Sequence, residues 1–206
     1  NPRQQQAVND FAIALLAEPR FLPFGSVHPD APDVPEELRR LKAAGIKGIK
    51  LHPDYQGFYP DEARMAPIYH AIAQLGLVTL FHAGVDIGLP DPVHCTPRRL
   101  AAALPHFEGA PVVAAHFGGY LLWRDVLTHL CGKDIYFDTA YSARKLPPPW
   151  AREILAAHNP ARVLFGTDVP WVDPLDEITY VRELTEDAGV ADAILGGNAA
   201  RLLELQ

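Results

Sequence analysis

A short apolar run that ends in an ionisable residue and is followed by a helix-like stretch occurs six times along the chain. The six runs, each with a predicted strand followed by its ionisable residue, lie at 21–28, 45–52, 77–82, 111–116, 135–138 and 162–168. Repeated β-then-α units predict a parallel sheet, and parallel α/β folds carry their chemistry outside the carboxyl ends of the strands. We therefore expect the ionisable residues that end these runs to converge on one face of the sheet.

Six predicted strands are two fewer than a (β/α)₈ TIM barrel has, and such a barrel usually takes about 250 residues, whereas this chain has 206. The first predicted element is a helix over 4–16, and the chain does not begin with Met. We expect a barrel that lacks its first two βα units, with the chain starting partway through the fold. An open doubly wound sheet is the alternative, although its edges would need covering. No domain boundary is visible, so residues 1–206 are predicted to form a single domain.

Composition narrows the classes of partner. The formal net charge of -7 argues against nucleic acid, whose phosphates normally require a basic face. Apolar stretches are interrupted within about ten residues, which is too short for a membrane span of roughly 20, and the amino end does not read as a signal peptide. Cys95 and Cys131 are far apart in no CxxC arrangement, which favours free thiols and a reducing, cytoplasmic setting. We expect a small molecule as the partner.

Three ionisable residues directly follow predicted strands: His82, His116 and Asp168. Neutral imidazole and carboxylate are the usual ligands of Zn²⁺ and similar divalent ions. His82 alone would more often be a hydrogen-bonded packing residue. Three such groups at neighbouring strand ends are harder to explain by packing, because a buried unpaired carboxylate is energetically costly. The set therefore favours a metal-binding or catalytic site.

Other candidates flank this set. Lys50 and His52 lie two residues apart, so in a strand they would point to one face. Both could face the site, or Lys50 could pair with a carboxylate while His52 caps a loop. Asp138 could orient a histidine or cap the segment that follows it. The segment 83–95, rich in Gly, Pro and Asp, has the length of a binding loop and is predicted to shape the substrate site.

Six motifs occur in register along the chain: GIKLHP at 48–53, FHAG at 81–84, AHFGG at 115–119, YFDT at 136–139, LFGTDVP at 164–170 and GNAARLL at 197–203. Together they closely resemble the amidohydrolase-related branch of the metal-dependent amidohydrolase superfamily, which has the (β/α)₈ barrel fold. The resemblance covers nearly the whole chain.

The resemblance implies a divalent metal ion at the barrel mouth, with zinc as the expected ion. By this likeness His82 is a metal ligand, Asp168 is a ligand or the carboxylate that handles the proton, and His116 is a second ligand or the group that polarises the substrate. The family also carries a His-x-His pair after its first strand, and no such pair occurs in this chain. If that segment belongs to the native protein, half of the metal site is lacking here, and the chain could be inactive or metal-free.

Three hypotheses for function follow. The leading one is hydrolysis of a small amide, lactone or ester by metal-activated water, in which Asp168 transfers the proton and His116 stabilises the oxyanion, while Lys50, His52 or Tyr141 holds a substrate carboxylate. The second keeps the metal site and changes the reaction to nonoxidative decarboxylation or hydration. The third is a truncated, non-catalytic barrel that binds a partner or forms a homo-oligomer through its open edges.

Overall fold

The computed structural model describes residues 1–205 and is built on a parallel sheet. Its five strands are β1 (Gly48–Leu51), β2 (Val78–Phe81), β3 (Val112–Ala114), β4 (Tyr136–Asp138) and β5 (Val163–Leu164). They lie side by side in the order β1-β2-β3-β4-β5, with Ile49 opposite Thr79 in the first pair. Strand order that follows chain order is the winding of a barrel wall, whereas a doubly wound sheet reverses direction at a switch point. The fold is therefore a partial TIM barrel.

The first predicted strand, 21–28, is wrong as a regular strand. Only Gly25 pairs, through an isolated parallel bridge to Ile49. The Gly25 N–H donates to the carbonyl oxygen of Gly48 at 3.0 Å, and the Lys50 N–H donates to the carbonyl oxygen of Gly25 at 2.7 Å. Pro23 lies inside the run and has no N–H to donate, which limits ladder formation. The segment keeps its predicted place beside β1 without the predicted regularity.

Within residues 1–205, two α-helices precede β1 and eight connect or follow the strands. They are α1 (Gln5–Leu15), α2 (Val34–Ala44), α3 (Pro53–Gln56), α4 (Ala66–Gln74), α5 (Pro97–Ala103), α6 (Trp123–His129), α7 (Pro148–Ala157), α8 (Pro174–Leu184), α9 (Ala188–Asp192) and α10 (Asn198–Leu202). None of the helices within residues 1–205 is long and apolar enough to cross a bilayer.

The two faces of the sheet are covered differently. Side chains alternate between faces along each strand, and Phe81 points into the large core shared with the helices. Val78, Val113 and Leu164 form a second, smaller apolar cluster. Leu202 of α10 packs against this smaller cluster, so α10 covers part of this face of the sheet.

Asn198 lies at the start of the last helix, where Asn is a common N-cap residue, but it does not cap this helix. Its backbone is helical, and a π-helical turn, Ala193–Gly197, leads directly into α10. The Asn198 side chain instead donates to the carbonyl oxygens of Val163 at 2.6 Å and Pro160 at 2.9 Å. It therefore ties the terminal helix to β5.

Candidate metal and substrate site

The carboxyl ends of the strands open into a cavity of about 930 Å³. All six residues predicted for metal binding, catalysis or substrate binding line it: Lys50, His52, His82, His116, Tyr141 and Asp168. Each lies on a different strand end or the loop directly after one, except that Lys50 and His52 share β1 and its end. The structure thus brings together residues that are up to 118 positions apart in the sequence, while their individual roles stay predictions.

His116 is held in one orientation by the chain around it. Its Nδ1 lies 2.8 Å from the carbonyl oxygen of Ala140. A carbonyl oxygen can only accept, so Nδ1 carries the proton. Its backbone, in the left-handed region at φ +61°, is secured by its N–H to Asp138 Oδ1 at 2.9 Å and by Trp123 Nε1 donating to its carbonyl oxygen at 3.0 Å.

The orientation of His116 determines the state of His82. With its ring proton on Nδ1, His116 presents a bare Nε2, which lies 3.3 Å from His82 Nδ1. His82 therefore donates through Nδ1 and leaves Nε2 as a lone pair. That Nε2 is buried and has no hydrogen-bond partner among residues 1–205. Burial, followed by the nearby His52, lowers the pKa of His82 to about 2, so the ring is neutral.

An unpartnered buried nitrogen of this kind is unusual, because leaving one unsatisfied destabilises a fold by about 1–3 kcal/mol. A neutral imidazole with a free Nε2 is also the form in which histidine binds a metal ion. The donor chemistry at His82 therefore fits the divalent ion that the sequence predicts.

Asp168 enters the cavity from the loop after β5. Its backbone is left-handed at φ +61°, as is that of Tyr141 at φ +56°. Non-glycine residues rarely adopt this conformation, and such strain is concentrated at functional sites. No side chain or backbone N–H of residues 1–205 hydrogen-bonds to the Asp168 carboxylate, which leaves both oxygens available to a ligand.

Asp86 is a site residue that the sequence reading missed. Its Oδ2 lies 3.2 Å from His52 Nε2, and His52 Nδ1 accepts from the N–H of Tyr55 at 3.3 Å. His52 thus caps α3, whereas its predicted structural role was to cap a loop. The loop around Asp86 carries a second aspartate, Asp91, and shows no periodicity, so nothing in the sequence distinguished Asp86.

His52, His82 and Asp86 each place one potential ligand atom within 4.8 Å of the others. The His52 and His82 rings, however, are stacked, with centroids 4.1 Å apart and planes inclined by 7°. An imidazole binds a metal ion in its ring plane at about 2.0–2.1 Å, and two stacked parallel rings have no common in-plane position. In this arrangement His52 therefore supports His82 from its face instead of sharing an ion with it.

Lys50 brings an amine to the cavity. Burial lowers the pKa of its ammonium, while Asp138 and Asp168 act in the opposite direction. Within residues 1–205 the ammonium makes no hydrogen bond or direct ion pair, so the predicted structural role as a carboxylate partner is not seen. An unpaired amine in a cavity is suited to bind an anionic group.

The sequence of residues 2–205 matches the family model described as Amidohydrolase. The chain belongs to this amidohydrolase family. No curated protein sequence matches it. The resemblance drawn from the six motifs is thereby confirmed.

Solved structures extend the comparison to the fold. An uncharacterised TIM-barrel protein from Bordetella bronchiseptica matches with a TM-score of 0.76 and 23% identity, over 96% of this chain and 72% of that one. A dihydroxybenzoic acid decarboxylase from Polaromonas, with bound manganese and an inhibitor, matches with a TM-score of 0.71 and 15% identity, over 99% and 76%. A protein from Pseudomonas putida, thought to be a 2-pyrone-4,6-dicarboxylic acid hydrolase, matches with a TM-score of 0.70 and 21% identity, over 96% and 78%. These likenesses establish the barrel fold of this amidohydrolase chain.

Proposed function

We propose that this chain forms the substrate side and part of the metal site of a divalent-metal-dependent hydrolase that acts on a small carbonyl compound carrying a carboxylate. The observation that carries the proposal is the buried, unpartnered Nε2 of His82 in the cavity. His82 and Asp168 would hold the ion, and zinc suits a set of imidazole and carboxylate ligands. When bound, such an ion polarises a carbonyl group and lowers the pKa of water.

The chain's own residues account for the other parts of the reaction. The Asp168 carboxylate would accept the proton of the attacking water and return it to the leaving group. A general base must lie within hydrogen-bonding reach of the proton that it removes. His116, held through Nδ1, would have no proton on Nε2 to donate to an oxyanion, and would instead orient His82 by accepting its Nδ1–H. The Lys50 ammonium would bind the carboxylate, and the Tyr141 ring and hydroxyl would border the substrate.

Decarboxylation of a ring carboxylic acid is the second candidate. The inner wall of the cavity is apolar and includes Leu80, Val113 and Leu164, which suits a flat ring. The manganese-containing structure that resembles this fold is a decarboxylase. The two candidates use the same residues and differ in products, since hydrolysis incorporates oxygen from water and decarboxylation releases CO₂.

Metal content provides a test that does not depend on turnover. The purified chain is loaded with Zn²⁺ or Mn²⁺, dialysed and measured by elemental analysis, beside His82→Gln and the matched control His129→Gln on α6. We expect His129→Gln to retain the metal of the parent chain and His82→Gln to lose about tenfold or more in metal affinity. Equal metal retention in His82→Gln would refute the assignment.

Activity is tested separately, on a panel of carboxylated lactones and ring carboxylic acids in ¹⁸O-labelled water. Asp168→Asn should lower the turnover number by about 100-fold or more, as expected for a lost general base, while circular dichroism stays unchanged. Label in the organic product identifies hydrolysis. Release of CO₂ with no label in the organic product identifies decarboxylation. Normal turnover in a folded Asp168→Asn variant would contradict the proton-transfer role.

A further inference from the structure

A buried carboxyl group outside the cavity supports the turn after β4, residues 140–144. Glu177 lies on α8 and is fully buried. We propose that Glu177 is a positioning residue for His116: it fixes the turn whose Ala140 carbonyl oxygen holds the proton of His116 Nδ1. The tautomer of His116 follows from the structure alone, whereas the effect on catalysis rests on the proposed function.

The first link joins Glu177 to the turn. Its Oε1 accepts a hydrogen bond from the N–H of Ala143 at 3.0 Å, and the backbone of Ser142 lies close enough to the same carboxyl group to lower its pKa. The turn is thus attached to one side chain of α8 through Ala143. The turn needs such support, because Tyr141 and Arg144 both have left-handed backbones, at φ +56° and φ +63°, which is unfavourable for non-glycine residues.

The second link joins the turn to His116. The carbonyl oxygen of Ala140 accepts from His116 Nδ1 at 2.8 Å and from Ser142 Oγ at 3.2 Å. The N–H of Ala140 donates to Asp138 Oδ1 at 3.0 Å, the same oxygen that binds the backbone N–H of His116. The position of the Ala140 backbone therefore determines which His116 nitrogen carries the proton and which faces His82.

The chemistry of Glu177 indicates more than a packing role. Its Oε2 is buried and has no hydrogen-bond partner among residues 1–205, and a buried carboxyl group is expensive to retain. The pKa of Glu177 is raised to about 7, mainly by burial and in smaller part by Asp138 and Asp176, although the backbone N–H groups of Ala143 and Ser142 act in the opposite direction. The nearby Tyr180 directs its hydroxyl to the carbonyl oxygen of Leu146 at 2.6 Å, so it steadies the same turn without relieving Oε2.

Two substitutions separate the acceptor from the bulk of the side chain. Glu177→Gln keeps one oxygen to accept from Ala143, whereas Glu177→Leu removes both oxygens at similar size. Glu177→Asp keeps the charge but shortens the reach, and serves if the leucine variant fails to fold. Glu183→Leu, an exposed position on the same helix, is the matched control.

The primary readout is the His116 tautomer, from long-range ¹H–¹⁵N spectra of ¹⁵N-histidine-labelled chain, with His116 assigned by the His116→Gln spectrum. We expect the proton on Nδ1 in the parent chain, in Glu183→Leu and in Glu177→Gln. In Glu177→Leu or Glu177→Asp we expect an Nε2–H population of His116 to appear. Retention of the pure Nδ1–H tautomer in folded Glu177→Leu or Glu177→Asp would overturn the proposal.

Kinetics provide the second readout. We expect kcat to fall by about tenfold or more in Glu177→Leu, with KM changed less than about twofold, because orientation of a catalytic group contributes mainly to the chemical step. Glu177→Gln should restore most of kcat. If the tautomer changes in the Glu177 variants as expected but even the parent chain shows no turnover, the positioning inference stands and the result counts against the proposed function. An equal fall in Glu183→Leu would count against the positioning role.

Discussion

The stability of this chain should depend on pH through Glu177, and the substitution Glu177→Gln isolates the effect. Burial is the main reason that the pKa of Glu177 rises from the ordinary 4.5 to about 7 in the folded chain. Between these two values the folded chain holds a proton that the unfolded chain has released. The free energy of unfolding therefore falls as pH rises through this window. The contribution of Glu177 is fully present below about pH 4.5 and is lost above about pH 7.

The magnitude follows from the pKa difference. One pKa unit corresponds to about 1.4 kcal/mol, so ionising this carboxyl group in place destabilises the fold by about 3 kcal/mol at pH 8. Glutamine has nearly the same shape and cannot ionise. The free energy of unfolding of Glu177→Gln minus that of the parent chain should therefore increase by about 2–3 kcal/mol from pH 5 to pH 8.

Urea unfolding followed by circular dichroism measures this difference at half-unit pH steps. The buffer contains a chelator, because a bound metal ion would add its own linkage to stability. Other titrating groups are common to both chains and cancel in the difference. Glu183→Gln, exposed on the same helix, should give a pH profile parallel to that of the parent chain. A Glu177→Gln profile that is also parallel, within about 0.5 kcal/mol, would refute the reasoning.

Three further substitutions test separate features. Gly84→Ala should destabilise the fold by about 2 kcal/mol or more, seen as a lower Tm, because φ is +88° and the new Cβ would lie 2.2 Å from the backbone nitrogen of Tyr120; an unchanged Tm would contradict this. Thr79→Val should stabilise by about 1 kcal/mol in urea unfolding, since its buried hydroxyl has no partner within residues 1–205, and a loss of stability would indicate an unseen partner. Lys50→Met should raise the KM for a carboxylated substrate by about tenfold while stabilising the fold, and an unchanged KM would remove Lys50 from the substrate site.

The alternation of apolar runs with helix-like stretches was sufficient to predict the barrel wall. Strands such as β2 are apolar on both faces because helices cover one side and the barrel interior the other, so the signal is strong even for four residues. The run at 21–28 has similar composition, yet Pro23 removes a donor and only Gly25 pairs. The hydrophobic pattern predicted where that segment lies, but too few backbone hydrogen bonds form for it to be a regular strand.

The candidate site divides in the same way. His82 and His116 could be predicted because each directly follows a strand, and the barrel winding brings strand ends together. Asp86 and Glu177 could not, since one lies in a loop without periodicity and the other is an acidic residue on an otherwise ordinary amphipathic helix. The His116 tautomer depends on a backbone carbonyl group, that of Ala140, and backbone groups carry no sequence signature.

Several local sequence rules are broken at the cavity, and these exceptions connect the site to the proposed function. His116, Tyr141 and Asp168 adopt left-handed backbones there, and His82 keeps a buried nitrogen unpaired. Each feature lowers stability, by about 1–3 kcal/mol for a strained backbone or an unmet hydrogen bond. Natural chains violate local rules chiefly where function requires it. If a ligand or ion relieves these features, its binding should stabilise the fold by an amount that grows with the logarithm of its concentration over Kd, which links metal binding at His82 to the Tm of the whole chain.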